Sequence, residues 1–517
     1  MSKEIRILWT DDEIDLLKPY ILFLEEKGYS VSTANNGEEA LELVSGGNFN
    51  LIFLDENMPG LSGLETLVRI KDMAPSVPVI MITKSEEEDI MDEAIGRKIA
   101  DYLIKPVNPK QILLTIKKHI DTRRLINEKT TSDYQVQFGR IGMQINEARS
   151  FNDWVEVYRK LVFWEQELEN SEETGMHDVL AMQWAEANNG YFKYIKSNYK
   201  QWFGTASDEK PMLSPQVFSE TVFPLLSKGK VAVLVIDNLR YDQWKLIEKE
   251  IAPIFRVQEE KIFCSILPTA TQYARNSMFA GLMPSEIKKL EPQYWVDEED
   301  EEGKNQFEAE LLQKQMKRKG IQHTMNYEKI SNVRQGKKVV ENFSDLMNYD
   351  LNVLVYNFVD MLSHARTEMD VIKELAYDDK SYRDLTLTWF NNSYLLDLIR
   401  LLSANNVQLV LTTDHGAIRV QNPIKVVGDR KTSVNLRYKQ GKNLSYQAKE
   451  VFEIDNPDVI HLPRINVSTT YIFAGSADYM VYPNNYNHFV NHYRNTFQHG
   501  GISMEEMIIP CAILVPR

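Results

Sequence analysis

Short apolar runs alternate with amphipathic stretches over the first 120 residues of the chain. The apolar runs predict strands, and the stretches between them carry apolar residues at helical spacing and end in glycine. The predicted strands are IRILW, YSVSTA, LIFLDEN, VPVIMIT and DYLIKP. A strand–helix repeat of this kind predicts a first domain over residues 1–120 with a parallel sheet covered by helices on both faces.

The middle of the chain shows helical spacing alone. Residues 121–205 carry Trp, Tyr and Leu at intervals of three and four, and no strand pattern interrupts them. We predict a small α-helical bundle over these residues. The stretch TASDEKPMLSP at 205–215 predicts a linker, because it is rich in proline, serine and charged residues.

The remaining residues, 216–517, return to buried strands. These are predicted at KVAVLVIDN, NVLVYNFVD, VQLVLTTDHG and MIIPCAILV. Each of the first three ends in an acidic residue, and sites in open α/β sheets form at the carboxyl ends of strands. A polar segment at about 285–345, with the acidic run VDEEDEEGK, predicts an insertion or lid, and a solvated loop is the alternative. The fold class is therefore multidomain α/β with an α-helical middle.

Composition narrows the class of protein. The chain has 517 residues, with 43% hydrophobic and 26% charged residues, as is typical of globular proteins. Its net charge of −15 argues against nucleic-acid binding through a broad basic face, and no DNA-binding domain is evident. The chain has two cysteines, no signal-peptide pattern and no apolar run long enough to span a bilayer, which predicts a cytoplasmic protein.

Polar residues follow the predicted strands of the first domain. Asp11 and Asp12 come after the first strand, Asp55 ends the third, Thr83 ends the fourth and Lys105 follows the fifth. The carboxyl ends of parallel strands converge, and three carboxylates suit Mg²⁺. Asp55 can then accept a phosphoryl group, whose charge Mg²⁺ and Lys105 neutralise while Thr83 hydrogen-bonds the new oxygen.

A second set of candidate residues suits zinc. Aspartate and histidine supply the oxygen and nitrogen ligands that Zn²⁺ prefers, and the C-terminal part offers enough of them for two sets of three. The candidates are Asp237, Asp360, His364, Asp414, His415 and His499. His488 and His492 have the spacing of a helical zinc pair, but no acidic residue between them fits the HExxH pattern, so we predict helix-surface residues.

Thr271 is the candidate nucleophile. It follows an apolar strand and a proline, and at the start of a helix its hydroxyl lies near the positive end of the dipole. A metal ion can depress the pKa of that hydroxyl. Arg275, four residues later, shares the face of Thr271, where it contacts a substrate phosphate or forms a structural ion pair. The basic stretch at 427–444 is interpreted as an exposed loop, with substrate contact as the alternative.

Residues 1–120 closely resemble the receiver domains of response regulators, which have a flavodoxin-like fold. The resemblance implies that a sensor histidine kinase provides the phosphoryl group and that Asp55 accepts it. It implies a Mg²⁺ site formed by Asp11, Asp12, Asp55 and the carbonyl of Asn57. It also implies a switch pair formed by Thr83 and Tyr102, with Lys105 nearby. Lys84 is a departure, because family members have a small residue after the threonine.

The residues from about 225 to 517 are similar to the PglZ branch of the alkaline phosphatase superfamily. The motifs that carry the resemblance are QHGGISMEEMIIP, LTTDHG and DMLSH. The resemblance implies two zinc sites, one formed by Asp360, His364 and His499 and the other by Asp237, Asp414 and His415, with Thr271 bridging as the nucleophile. Cys264 is followed by SILP, which does not fit the sulfatase motif C/S-x-P-x-R and favours phosphoryl transfer.

A receiver, helices and a PglZ domain in this order resemble the PorX type of response regulator, which is associated with type IX secretion in Bacteroidetes. This resemblance implies a sigma factor as a further partner. We predict a response regulator whose zinc-dependent output domain hydrolyses phosphate esters, with nucleotide phosphodiesters as the expected substrates, and which phosphorylation of Asp55 activates or dimerises. A catalytically vestigial module that docks a sigma factor is the alternative, and a phosphomutase is the third hypothesis.

Overall fold

The computed structural model describes most of the chain, and its described residues form two compact units. The described ranges are 5–75, 77–84, 99–169, 174–204, 210–298, 303–429 and 432–517, with backbone only at 121–131, 174 and 370. Contacts within the chain place the described residues up to 135 in the first unit and those from 136 onward in the second.

The first unit is built on a parallel five-stranded sheet. Its strands are β1 (Ile5–Thr10), β2 (Tyr29–Ala34), β3 (Leu51–Asp55), β4 (Val79–Thr83) and β5 (Asp101–Ile104). Their order is β2-β1-β3-β4-β5, and every neighbouring pair is parallel. The described helices are α1 (Lys18–Glu26), α2 (Gly37–Gly46), α3 (Gly63–Met73) and α4 (Pro109–Ile116), and a 3-10 turn covers Ile14–Leu17. All five predicted strands are confirmed.

Alternation along the buried strands divides the apolar residues of the first unit between two faces. Trp9 and Phe53 lie in one cluster, whereas Leu8 and Leu54, their neighbours in sequence, lie in the other. Successive strand side chains point to opposite faces, so a run that is apolar throughout fills both cores. This is why strands of this sheet appear in the sequence as continuous apolar runs.

The middle of the chain is helical. A π-helical turn, Lys117–Asp121, lies between α4 and α5 (Thr122–Glu147). The next helices are α6 (Phe151–Leu168) and α7 (Thr174–Asn198). They pack through Trp154 and Tyr191, whose rings lie 5.8 Å apart, and a Cβ on Gly190 would come within 2.5 Å of the Trp154 ring. The predicted bundle at 121–205 is helical, but α6 and α7 form one compact unit with the C-terminal residues.

A six-stranded mixed sheet forms the core of the second unit. Its strands are β6 (Val231–Ile236), β7 (Phe255–Cys264), β8 (Met325–Ile330), β9 (Leu351–Tyr356), β10 (Gln408–Thr412) and β18 (Ile508–Pro516). The order is β7-β18-β10-β6-β9-β8, with β10, β6, β9 and β8 parallel and β18 antiparallel to both of its neighbours. The four strands predicted from apolar runs are all central strands here, because central strands are buried on both faces.

The other elements of the second unit surround this sheet. Its helices are α8 (Tyr241–Ile251), α9 (Thr271–Ala280), α10 (Pro284–Leu290), α11 (Glu308–Arg318), α12 (Val333–Glu341), α13 (Phe343–Leu346), α14 (Phe358–Glu368), α15 (Asp370–Leu375), α16 (Asp379–Asn391), α17 (Tyr394–Ala404), α18 (Tyr486–Tyr493) and α19 (Met504–Met507). Short strands are β11 (Ile418–Arg419), β12 (Asn422–Lys425), β13 (Tyr438–Gly441), β14 (Val451–Ile454), β15 (Thr470–Ala474), β16 (Asp478–Val481) and β17 (Phe497–Gln498). They pair as β11-β17, β12-β16 and β13-β15-β14.

The remaining short helical turns lie mainly before β6. The 3-10 turns cover Tyr199–Phe203, Ser214–Gln216, Phe223–Lys228, Pro292–Tyr294 and Pro457–Ile460, and a π-helical turn covers Phe218–Val222. The predicted linker at 205–215 lies partly outside the described residues, which omit 205–209. None of the described helices combines the length and apolar character needed to cross a membrane.

The segment at 285–345 is part of the fold of the second unit. It was predicted as an insertion or lid, yet it contains β8, the edge strand of the main sheet, in parallel register with β9. Edge strands are half-exposed, so the mixed sequence MNYEKI lacked the apolar run by which the central strands were found. Residues 299–302 of the acidic run lie outside the described residues.

Candidate metal centres and active site

The carboxyl ends of the strands in the first unit bring the predicted receiver residues together. Carboxylate oxygens of Asp11, Asp12 and Asp55 lie within 4.8 Å of one another. Lys105 Nζ lies 2.8 Å from Asp11 Oδ2 and 2.9 Å from Asp55 Oδ1. Burial raises the pKa of Asp55, and the hydrogen bond from Lys105 opposes that shift. A cation among these carboxylates would relieve their mutual repulsion, as a Mg²⁺ site requires.

The other receiver residues surround this cluster. Thr83 is buried, and its hydroxyl donates a hydrogen bond to Glu56, a residue that the sequence analysis did not select although it directly follows Asp55. Tyr102 is 39% exposed, and the Asn57 side chain is also exposed. Lys84 Nζ lies 4.0 Å from Glu13, at the surface. Gly63 allows α3 to approach Asp55, because a Cβ there would lie 2.3 Å from the carbonyl oxygen of Asp55.

In the second unit, Asp360, His364 and His499 form one ligand set, with ligand atoms within 4.8 Å of one another. Asp360 and His364 lie four residues apart on α14 and therefore share one face of the helix. Their carboxylate and Nε2 are 3.6 Å apart, and His499 Nε2 lies 3.6 Å from the other carboxylate oxygen. The His364 side chain is 63% exposed, so this set borders solvent.

Asp237, Asp414 and His415 form the other set, whose ligand atoms also lie within 4.8 Å of one another. Asp237 directly follows β6, and the other two follow β10, the neighbouring parallel strand. All three are buried. Burial raises the pKa of Asp237 to about 6 against the opposing charge of Arg275, and burial likewise raises the pKa of Asp414.

Backbone carbonyls orient two of the histidines. His415 Nδ1 lies 3.2 Å from Gly416 O, and His499 Nδ1 lies 3.1 Å from Thr269 O. A carbonyl can only accept, so each Nδ1 carries the proton and each Nε2 keeps a lone pair. Burial and the neighbouring His499 lower the pKa of His415 well below its usual value, which favours the neutral ring that a metal needs. The two rings stack with centroids 4.3 Å apart and join the two sets.

Thr271 lies beside this junction. It is the first residue of α9, as predicted, and its Oγ1 lies 3.2 Å from His415 Nε2. The hydroxyl therefore lies at the positive end of a helix dipole and next to a candidate metal ligand. This is the arrangement that a hydroxyl nucleophile needs for a lowered pKa.

The hydrogen bonding of two buried carboxylate oxygens indicates whether these residues can hold a metal ion. Asp237 Oδ1 and Asp414 Oδ2 accept no hydrogen bond from the described part of the chain. Asp414 Oδ1, in contrast, has Thr413 Oγ1 at 3.3 Å and the Asn238 backbone nitrogen at 3.5 Å. A buried oxygen without a partner costs free energy unless a cation binds there, so this donor set fits a metal such as zinc.

Arg275 is not placed for contact with a substrate. Its side chain is fully buried, with Nη1 2.6 Å from Asp237 Oδ2 and Nε donating to Glu308 Oε1 at 2.6 Å. The guanidinium has no free surface, and the three charges beside it are protein carboxylates, since Asp414 Oδ2 also lies 3.8 Å from Nη1. The suggested phosphate contact is therefore wrong, and the alternative of a structural ion pair describes the geometry.

The other candidates also depend on tertiary packing. The interpretation of 427–444 as an exposed loop is wrong at Arg437, which is buried and lies 2.6 Å from Glu506, and at Lys439, which donates to Ser433 O. Burial lowers the pKa of Lys439 to about 7. His488 and His492 stack on α18, outside the ligand clusters found among the described residues.

Asn238 is a site residue that the sequence analysis missed. Its backbone φ is 65°, a left-handed conformation that Asn adopts more readily than most residues. Its side-chain amide lies 3.4 Å from Asp360 Oδ1, and its backbone nitrogen faces Asp414. The residue thus contacts one ligand from each set. The only signal in the sequence is its position directly after Asp237.

Three family models match the chain in succession. Residues 7–117 match the response regulator receiver domain, 124–203 the PorX response regulator linker domain, and 217–514 the BREX system PglZ alkaline phosphatase-like domain. A receiver domain implies a kinase as a partner in general. The PglZ match places the C-terminal domain in a superfamily of phosphoesterases.

Individual relatives match the receiver region. The transcriptional regulatory protein ZraR of Klebsiella oxytoca is 36% identical over 141 residues, which are 27% of this chain and 32% of that protein. AlgB, the alginate biosynthesis transcriptional regulatory protein of Pseudomonas syringae pv. tomato, is 38% identical over 120 residues, covering 23% of this chain and 27% of that protein. The chain thus spans about a third or less of these relatives. A CheY-like receiver domain from Methanospirillum hungatei JF-1 is 30% identical, with a TM-score of 0.23, over 23% of this chain and 96% of that one.

The extent of the matches decides the family. The PglZ model alone covers more than half of the 517 residues, and the linker model is specific to one type of response regulator. The receiver model accounts for most of the first unit. The chain therefore belongs to the family of PglZ alkaline phosphatase-like domain proteins, and its receiver, linker and PglZ domains have the architecture of a PorX-type response regulator.

Proposed function

We propose that this response regulator is a phosphodiesterase with two zinc ions in its C-terminal domain, and that phosphorylation of Asp55 controls its activity. The observation that carries the proposal is the meeting of two three-ligand sets beside the hydroxyl of Thr271. Both sets have the residue types that zinc prefers, and the buried set presents two oxygens without a hydrogen-bond partner among the described residues.

Each residue of the proposed active site has a separate role in the reaction. Thr271 Oγ1 gives its proton to solvent and attacks the phosphorus in line, and the first alcohol leaves with the electrons of the broken P–O bond and takes up a proton. Water then attacks the phosphate ester formed on Thr271, which releases the phosphomonoester product and returns a proton to the threonine oxygen. Two zinc ions, held by the two ligand sets, would offset the negative charge on the reacting oxygens and would lower the pKa of the hydroxyl. The carbonyls behind His415 and His499 hold their rings in the orientation that this requires.

The proposed substrates are nucleotide phosphodiesters. The support is the similarity to diesterase members of the superfamily, in which a threonine rather than a serine is the nucleophile. The exposed side of the site agrees with a large substrate, because the His364 side chain is 63% exposed. A phosphodiester longer than the reacting group can therefore extend into solvent.

The receiver supplies the proposed control. Asp55, with Lys105 and the neighbouring carboxylates, has the geometry to accept a phosphoryl group from a sensor histidine kinase in the presence of Mg²⁺. We propose that phosphorylation favours a homodimer, and that the protein regulates type IX secretion with a sigma factor as a partner. The support for these roles is the PorX-type architecture.

Zinc analysis and a hydrolysis screen test the catalytic proposal. Wild type purified without chelator should contain about two zinc ions per chain and should hydrolyse bis-p-nitrophenyl phosphate. Thr271→Ala should lose turnover and keep its zinc, Thr271→Ser should retain part of the turnover, and Thr388→Ala, at an exposed threonine on α16, should behave as wild type.

The outcomes separate the hypotheses. Wild-type turnover by Thr271→Ala would exclude this residue as the nucleophile. Hydrolysis restricted to monoesters would exclude the preference for diesters. A chain that binds zinc and hydrolyses no phosphate ester would favour the docking module for a sigma factor.

A further inference from the structure

Arg275 links Asp237, a candidate metal ligand, to α11, a helix that carries no candidate metal ligand. Its guanidinium lies between Asp237 Oδ2 and Glu308 Oε1, 2.6 Å from each, and all three side chains are at least 98% buried. Arg275 and Asp414 Oδ2 are farther apart, at 3.8 Å. The arginine thus pairs with one oxygen of Asp237 and with the carboxylate that begins α11.

Glu308 is itself held from a second side. The hydroxyl of Tyr327 donates a hydrogen bond to Glu308 Oε2, and Lys329 Nζ lies 3.4 Å from the same oxygen. Both residues belong to β8, the edge strand of the main sheet. The α11 helix packs closely on α9, because a Cβ at Gly281 would lie 2.2 Å from Gln315. The carboxylate of Glu308 therefore has a fixed position relative to Arg275.

The fixed position of Arg275 determines which oxygen of the Asp237 carboxylate is left for a metal ion. Arg275 occupies Oδ2, whereas Oδ1 has no hydrogen-bond partner in the described chain. Asp414 repeats this division, since Oδ1 faces Thr413 and Oδ2 has no hydrogen-bond partner in those same ranges. Each carboxylate thus keeps one oxygen for the protein and presents the other. A guanidinium free to turn would not fix which oxygen of Asp237 is presented, because two carboxylate oxygens are chemically equivalent.

We propose that Glu308, acting through Arg275, is a positioning residue for the metal site formed by Asp237, Asp414 and His415. The segment at 285–345 is then a structural part of that metal site, contributing the anchor from α11 and its support from β8. The inference rests on the proposed binding of zinc. It extends that function, because this segment then sets the zinc affinity of the site formed by Asp237, Asp414 and His415 and leaves that of the site formed by Asp360, His364 and His499 unchanged.

A purely structural ion pair makes a different prediction. Loss of such a pair lowers the stability of the domain and leaves the affinity of either zinc position unchanged. A positioning residue changes the affinity of one position, and outer-shell partners of metal ligands typically contribute about 10–100-fold in affinity. Zinc affinity, measured separately for the two positions, therefore distinguishes the two roles.

The test uses full-length protein in a His364→Ala background, which isolates the Asp237 position. Zinc affinity is measured by competition with a chromophoric chelator, and folding by circular dichroism. Adding Glu308→Gln, which removes the charge and keeps the size, should weaken the remaining zinc about 10–100-fold. Tyr327→Phe should weaken it less, and the control Glu310→Gln, on the same helix, should leave it unchanged.

The same variants with an intact His364 complete the experiment. Glu308→Gln should then weaken one zinc and leave the other at its wild-type affinity, which shows that the domain is still folded. Unchanged affinity at both positions would overturn the inference while leaving the two-zinc proposal intact. A wild-type chain that binds no zinc would overturn both. If Glu308→Gln does not fold, Tyr327→Phe decides, because wild-type affinity in that variant would contradict the positioning role.

Discussion

Replacement of Arg383 by methionine tests how the helical segment is held against the C-terminal domain. Arg383 lies on α16 and is 2% exposed. Its guanidinium contacts Glu165 of α6, Glu169 directly after that helix and, at 2.8 Å, Asp242 of α8. Methionine keeps much of the volume and removes the charge. Three buried or half-buried carboxylates therefore lose one shared counter-ion.

The distances give the size of the effect. At an effective dielectric constant of about 20, unit charges separated by the observed 2.8 and 3.2 Å attract by about 6 and about 5 kcal/mol. The cost of taking the charges out of water offsets most of this attraction. Removal of one partner from a buried ion pair typically costs about 3–5 kcal/mol. Asp242 keeps its contact with Arg240, so we expect a loss near 3 kcal/mol at pH 9.

The loss should depend on pH. Burial raises the pKa of Glu165 to about 8 and raises that of Glu169, with Arg383 opposing both shifts. Without Arg383 the folded-state pKa values rise further, whereas those of the unfolded chain are unchanged. The folded variant then binds more protons than folded wild type, so its stability falls more steeply as pH rises. At pH 6, where Glu165 is protonated in both proteins, the difference should be smaller.

Urea unfolding followed by tryptophan fluorescence measures the difference in unfolding free energy between variant and wild type. The signal reports mainly on the second unit, because every tryptophan except Trp9 lies beyond residue 136. Arg400→Met is the matched control. Arg400 pairs with Asp397 at the surface and is 59% exposed, so its replacement should change stability by less than about 0.5 kcal/mol. A loss below about 1 kcal/mol for Arg383→Met at pH 9, or an equal loss at pH 6 and pH 9, would refute the reasoning.

Three further predictions concern metal, pH and phosphorylation. Removal of the proposed zinc ions by a chelator should lower the unfolding free energy of the second unit by about 2–4 kcal/mol, because an oxygen of Asp237 and one of Asp414 would then be buried without a partner among the described residues. Unchanged calorimetry after chelation would contradict this. Glu505→Gln should stabilise the protein at pH 8 and much less at pH 5, because burial raises the pKa of Glu505 to about 7 despite the hydrogen bonds from Asn188. An equal shift of the urea midpoint relative to wild type at both pH values would count against this. Beryllofluoride should increase the mass measured by light scattering for wild type and not for Asp55→Ala, whereas an identical response by both would place the phosphoacceptor elsewhere.

Local pattern in the sequence was enough to find the strands of the first unit and the four central strands of the main sheet in the second. Runs such as LIFL and VAVLVI are apolar at every position because both faces of a central parallel strand are buried. The carboxyl ends of neighbouring parallel strands must meet, so residues that follow those strands are brought together by topology alone. For this reason the acidic residues at the ends of the predicted strands could be expected at one edge of the sheet, whereas the pairing of Asp237 with Asp414 came from the resemblance to the PglZ family.

Tertiary structure decided which charged residues are buried and with which partners. Arg275 and Glu308 are 33 residues apart, and Arg383 and Glu169 are 214 residues apart. A charged side chain appears solvated in the sequence whether or not an opposite charge reaches it in the fold, so Arg437 could not be distinguished from an exposed loop residue. Periodicity reports the burial of apolar residues within one element. The burial of a charge depends on a partner from another element, and only the packed chain brings the two together.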